Sequence, residues 1–199
     1  QVFQRHPVSE PVPLVLSFAE SLPGTPNISP KVMLDNLINH AELPIDREQV
    51  RTVHTGRAAV LQSLDLAQRF LYDLEHDYVL VGASDSYWDD STLACLDEAE
   101  RALALGVKNG FAPGEGACFF LLTRHPEKAH VQSGHIISLN PTGVAQEPGH
   151  LNSEKAYRGE GLHQAFSQAL QGYQGEGIHS VYSSMNGEHY WAKEYGVAM

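Results

Sequence analysis

The stretch from Asp77 to Leu122, DYVLVGASDSYWDDSTLACLDEAERALALGVKNGFAPGEGACFFLL, constrains the fold more than any other part of the chain. Asp77 to Gly82 is a nearly continuous apolar run, the pattern of a strand with helices on both faces. A short polar turn follows. After Ser91 the apolar positions Leu93, Leu96, Ala99 and Leu103 predict an amphipathic helix. The glycine-rich segment Gly110 to Ala117 then feeds a second apolar strand, Gly116 to Leu122. Strand, helix and strand in this order point to a layered α/β fold.

The flanking sequence extends the alternation. Pro11 to Ser17 (PVPLVLS) reads as a strand. Asn27 or Ser29, with Pro30 just inside, opens a helix running to about His40, with Val32, Met33, Leu37 and Ile38 at helical spacing. Gln49 to His54 reads as a strand broken by Thr55-Gly56, and a strongly amphipathic helix follows from Arg57. Beyond Leu122, the apolar segments Gly134 to Leu139 and Ile178 to Ser184 read as strands, Pro141 to Gly161 as loop, and Gly161 to Gly172 as helix.

With 42% hydrophobic and 19% charged residues, the chain has the composition of a globular protein rather than a disordered one. Its formal net charge of -11 disfavours nucleic acid or an anionic membrane as principal partner. No apolar run is long enough to span a bilayer and the N-terminus lacks a signal-peptide core, so a cytoplasmic location is expected. Gln1 is not an initiator residue, so the expectation is a processed chain or part of a longer one. Cys95 and Cys118 have no metal-ligand spacing and are expected to be reduced and buried, Cys118 as a core thiol. Asp85, Asp89 and Asp90 suit a turn and helix N-terminus better than a metal site, and Arg101 has Asp97 or Glu98 within reach as a salt-bridge partner. No metal or cofactor is called for.

G-A-S-D-S after one strand and G-F-A-P-G-E-G-A before the next resemble the β-ketoacyl synthases of the thiolase superfamily. The resemblance implies a thiolase-like layered fold, helices on mixed sheets, in a partial version. Residues 1–124 would form most of the first of its two similar halves and residues 125–199 the beginning of the second. These enzymes extend acyl chains through a cysteine just upstream of the matching block. The segment here is Val53-His54-Thr55-Gly56-Arg57-Ala58-Ala59. It places Arg57 at the nucleophile position, with Gly56 the adjacent alternative.

A strand turning sharply into a helix presents one side chain at its apex, with free helix N–H groups beside it. Arginine is always protonated and cannot attack a thioester; Thr55 can act only with a nearby base. The family's first catalytic histidine falls at the end of a second-half strand, where this chain reads Ser184-Met185-Asn186-Gly187-Glu188-His189. Asn186 stands where histidine is expected. It donates a hydrogen bond but exchanges no proton. His189 is a nearby substitute. By the same resemblance, Gly56, Phe111, Gly114 and Gly116 would border the acyl site.

The expectation is therefore a ketosynthase-like protein of fatty-acid or polyketide type metabolism without condensing activity, serving as a binding or partner subunit. The resemblance implies a homodimer, or a heterodimer with a ketosynthase-like chain, paired through strands near the elbow. Acyl thioesters and acyl carrier protein are the implied ligands. The alternative is a divergent acyltransferase working through Thr55, Asn186 or His189.

Overall fold

The computed structural model describes residues 2–20, 29–41, 43–175 and 177–199. Its elements are α1 (Val2–Arg5), β1 (Val12–Ser17), α2 (Pro30–Ala41), β2 (Ile45–Val53), α3 (Ala59–Tyr72), β3 (Tyr78–Ser86), α4 (Asp90–Glu98), β4 (Glu115–Thr123), α5 (Glu160–Leu170) and α6 (His189–Ala198). Single 3-10 turns occur at Gly56–Ala58 and Pro126–Lys128. The elements form two compact units that interleave along the chain: Gln1–Ser86 with Glu115–Leu139, and Tyr87–Gly114 with Asn140–Met199. Of the two residues that could open α2, Asn27 lies outside the described residues and Ser29 immediately precedes it.

The first unit holds a four-stranded mixed sheet in the order β2-β1-β3-β4. β1 runs parallel to both β2 and β3, and β4 returns antiparallel to β3. Parallel neighbours cannot be joined by a tight turn, so α2 links β1 to β2 and α3 links β2 to β3. Alternate residues of a strand face opposite sides. Leu14, Leu16 and Leu80 meet Ile38 of α2 on one face; Val15, Val79 and Val81 meet Ala67, Phe70 and Leu71 of α3 on the other. This is why Pro11 to Ser17 and Asp77 to Gly82 read as nearly continuous apolar runs. All six residues of β1 are buried.

Gly82 lies under the ring of Phe119 on the neighbouring strand, where a Cβ would come within 2.2 Å of Cε1. Phe119 is half-buried and packs against the α2-side core, so its ring must shift to admit a methyl group. Gly82→Ala is expected to lower stability by about 2 kcal/mol in denaturant titration, and Phe119→Leu in the same chain to restore most of it. A Gly82→Ala protein as stable as the parent would show that the ring moves freely.

In the second unit Asp89 caps α4, its carboxylate accepting from the Thr92 N–H at 2.8 Å. α4 ends sooner than its apolar pattern predicts. Glu100 takes a left-handed φ of 52°, the Arg101 N–H closes back on the Leu96 carbonyl at 2.8 Å, and the Glu100 N–H on that of Asp97 at 2.9 Å. These are the two bonds of a Schellman stop. Leu103, expected on the helix, follows that stop and is 62% exposed. α5 and α6 pack together through the edge-to-face pair Phe166–Tyr195 and through His163 Nδ1 against the Ala198 carbonyl oxygen at 3.0 Å.

Two expected strands are absent. Ser133 and Gly134 both have positive φ, making a two-residue hairpin turn that closes on the single bridge Gln132–His135. The following residues extend no further as a strand, and Ile137 is almost fully exposed. Ile178 to Ser184 is likewise no strand, with Ile178, Val181 and Tyr182 exposed. An apolar alternation becomes a strand only when a neighbour takes up its backbone hydrogen bonds. Neither segment has such a neighbour among the described residues. No helix among the described residues is long and apolar enough to cross a membrane.

Candidate functional site

In sheets with parallel strands, ligands collect at the carboxyl ends of the strands, where loops are free to vary. In the first unit this edge carries the segment after β1, the elbow after β2, the end of β3 and the start of β4. The last row of the ladder runs Val53, Ser17, Ala83, Cys118 across the four strands.

The elbow is present. β2 ends at Val53, Gly56 adopts φ +56°, a 3-10 turn covers Gly56–Ala58 and α3 follows at once. The left-handed backbone at Gly56 is what lets the strand turn so abruptly into the helix. A Cβ there would sit 3.3 Å from the Glu20 side chain, which places a carboxylate beside the turn. Neither the 3-10 turn nor α3 has a side-chain cap. Arg57 occupies the apex and is exposed. The Thr55 hydroxyl donates to Gln62 Oε1 at 2.6 Å, an amide oxygen that cannot act as its base. Phe18 stacks on the His54 ring at 5.0 Å, tying the segment after β1 to the elbow. Beneath them the Ser17 and Ser63 hydroxyls meet at 2.7 Å, both buried, fastening α3 to β1.

Gly116 lies on this sheet edge too, but on β4, the outer strand opposite β2. Two strands separate it from the elbow, about 14 Å at ordinary strand spacing. A methyl group at Gly114 or Gly116 would meet nothing within 4 Å, so packing does not require glycine at either. Cys118, expected in the core, is exposed. β4 is an edge strand whose first residues are left open, so an apolar sequence there does not entail burial.

Phe111, Gly114, Asn186 and His189 belong to the second unit. Phe111 is buried, edge-on to Tyr87 at 5.3 Å and beneath the Arg101 guanidinium at 5.7 Å. That guanidinium is not paired with Asp97 or Glu98, as its position on the chain implies. It grips Glu188 in a fork, Nε to Oε1 at 2.7 Å and Nη2 to Oε2 at 3.0 Å. Glu188 is only 4% exposed and also accepts from Asn186 Nδ2 at 2.8 Å and Trp191 Nε1 at 2.9 Å. Burial pushes its carboxyl up, but the bonds from Arg101, Asn186 and Trp191 outweigh this and hold it at about 2.

Asn186 is tied at both ends, since its Oδ1 accepts from the Glu188 N–H at 3.1 Å. Gly187 bridges the two with φ 109°. His189 is exposed at the start of α6, and its N–H donates to Asn109 Oδ1 at 2.6 Å. Sequence reasoning misses Glu188 and Trp191 as the hub of this network. No local pattern announces a pairing that spans 87 residues.

The four-stranded mixed sheet and its covering helices form a ketosynthase-type, thiolase-like layered fold. Among solved structures the chain resembles the ketosynthase from module 6 of the bacillaene synthase from Bacillus subtilis 168, at 20% identity and a TM-score of 0.54, the match covering 82% of this chain and 31% of that one. A mutant of the same ketosynthase aligns at 21% identity with a TM-score of 0.56, covering 82% and 30%. The chain thus spans under a third of the length of these ketosynthases. No protein-family model matches it, and no curated protein matches it in sequence.

Proposed function

We propose that this chain is a ketosynthase-like protein of fatty-acid or polyketide type metabolism that has lost condensing activity and serves as a cytoplasmic binding or partner subunit. Residues 1–124 would stand for most of the first thiolase-like half and residues 125–199 for the opening of the second. The observation that carries this reading is the elbow itself. The strand, the left-handed glycine and the uncapped helix start are kept, while the apex residue is Arg57, which is no nucleophile. Further support comes from Asn186, which is held in place by Glu188 at the position where the family resemblance expects a proton-exchanging histidine. In this role the elbow, with Gly56 and Gly116 on the sheet edge of the first unit, would shape a site for an acyl thioester or acyl carrier protein. The chain would work as a homodimer or beside a ketosynthase-like partner.

A second reading, a divergent acyltransferase that still turns over acyl thioesters, is favoured by the exposed Cys118 thiol on the same sheet edge as the elbow. Intact-protein mass after incubation with malonyl and longer acyl thioesters separates the two. The parent chain and an Arg57→Cys variant are each compared with and without Cys118→Ser. The expected result is no adduct on the Cys118→Ser chain and one acyl group on the Arg57→Cys, Cys118→Ser chain. An adduct on the parent that vanishes with Cys118→Ser favours the acyltransferase. Failure of the introduced thiol to acylate would remove the acyl site at the elbow from the first reading.

A further inference from the structure

A loop that runs over the surface is ordinarily polar, because water covers it. The loop that follows α4 in the second unit is not. Residues 102–107 read Ala-Leu-Ala-Leu-Gly-Val, with no polar side chain among them. Leu103 is largely exposed and Leu105 fully so. The loop is braced at its base, where the Leu103 N–H donates to the Phe111 carbonyl at 2.8 Å and the Phe111 N–H to the Arg101 carbonyl at 2.9 Å. Arg101 is itself fixed by its fork on Glu188. At the tip the Val107 N–H closes on the Ala104 carbonyl at 3.1 Å, with Gly106 at φ 93°. A left-handed glycine in third place marks a type II turn, which sets Leu105 at its corner. Two leucines are thus held out into water by an ordered loop, an arrangement that leaves apolar surface for a partner to cover.

Charge decides what can cover it. Asp97, Glu98 and Glu100 are exposed and lie just before the base of the loop. Exposed Asp90 shares a face of α4 with Asp97 and Glu98, two turns away. Arg101 does not offset these acids, since its guanidinium is paired with Glu188. Lys108 is the only cation within the loop. The same face of a second copy, a nucleic acid or an anionic lipid surface would each set negative charge against negative charge, whereas a basic partner complements it. We infer that the loop of residues 102–111 and the acidic face of α4 dock a basic amphipathic segment of another protein. Its apolar face would cover Leu103 and Leu105, and its lysines or arginines would lie over Asp97, Glu98 and Glu100. An apolar centre with a charged rim is the ordinary anatomy of a protein interface. The surface lies wholly within the second unit, and the inference does not rest on the acyl-site reading.

Fluorescence anisotropy of a labelled synthetic helix, leucines on one face and lysines on the other, tests the docking on the full chain. The leucine–lysine helix is expected to bind the parent chain and to weaken as salt is raised. A leucine–glutamate helix of the same spacing is expected not to bind. Leu103→Ser with Leu105→Ser, and separately Asp97→Lys with Glu98→Lys, should each weaken binding about tenfold or more. Matched changes at exposed positions of the first unit, Val32→Ser with Leu74→Ser and Glu10→Lys with Glu48→Lys, should leave it unchanged. Circular dichroism checks the fold of each variant. If the double variants do not fold, Leu105→Cys in a Cys118→Ser chain, carrying an environment-sensitive dye, takes their place. Its emission is expected to shift to the blue with the leucine–lysine helix and not with vesicles containing anionic lipid. A parent that does not bind, losses as large from the first-unit changes as from the loop, a dye that does not respond, or a dye that responds to the vesicles would each overturn the inference.

Discussion

Arg101→Met is expected to destabilise the second unit by about 3 kcal/mol, because it leaves the buried Glu188 carboxylate without its counter-charge. Asn186 and Trp191 would still donate to it, which keeps the loss at the lower end of the range for a broken buried pair. Both tryptophans, Trp88 and Trp191, lie in this unit, and Trp191 bonds Glu188 directly, so fluorescence-detected guanidinium unfolding reads the loss. The double change Arg101→Met, Glu188→Met is expected to cost less than the two single changes together, since it removes the stranded charge.

The same pair sets an acid limit. The Glu188 carboxyl is held at about 2 in the folded chain against an ordinary 4.5. A depressed carboxyl contributes its full stabilisation above its unfolded pKa and loses it as pH falls toward the folded one. On the order of 3 kcal/mol should therefore be present at pH 6 and disappear between about pH 4.5 and pH 2. In Glu188→Gln that portion of the acid dependence should be absent. An unchanged acid profile in the variant would show that the network carries no such coupling.

Leu14→Ala is expected to cost the first unit about 3–5 kcal/mol. Leu14 is 0% exposed, sits in register with Val50 and Leu80, and joins the core that includes Ile38 and Ile45. A central strand covered by layers on both sides cannot collapse readily around a missing isobutyl group, so the cavity persists. Tyr72→Ala, at a position 65% exposed, should stay within about 0.5 kcal/mol and serves as the control. Amide exchange along β1 is the direct measurement. Protection at Val15 and Leu16 that survives Leu14→Ala would mean the core rests elsewhere.

The central strands are legible in the sequence because their neighbours are recorded in their own composition. β1 and β3 are covered on both faces and are apolar where they are covered, and α3 shows a clean stripe. The elbow is legible for a related reason: Thr55-Gly56 is a break that a left-handed glycine explains. Legibility fails wherever the deciding partner is distant or absent. Gly134 to Leu139 and Ile178 to Ser184 carry strand composition without a strand to pair with among the described residues. Arg101 has acids within helical reach yet takes Glu188, which only the folded chain brings near. Cys118 sits in an apolar run that suggests burial, but the run lies at an edge. α6, HYWAKEYGVA, has no regular apolar stripe, so periodicity gives no sign of it.

The Ser17–Ser63 contact bears on how such a chain can change its chemistry without losing its shape. Apolar helix-to-sheet packing is forgiving of small slips, whereas two hydroxyls shut away from water must stay together, because a buried hydroxyl left unsatisfied costs about 1–3 kcal/mol. The pair works as an index pin: it fixes where α3 stands along β1, and so where the turn that precedes α3 is delivered. Nothing in that pin consults the side chain at the apex. A lineage could exchange the residue presented there while the mount beneath it stays in place, which makes position 57 a socket rather than a fixed tool.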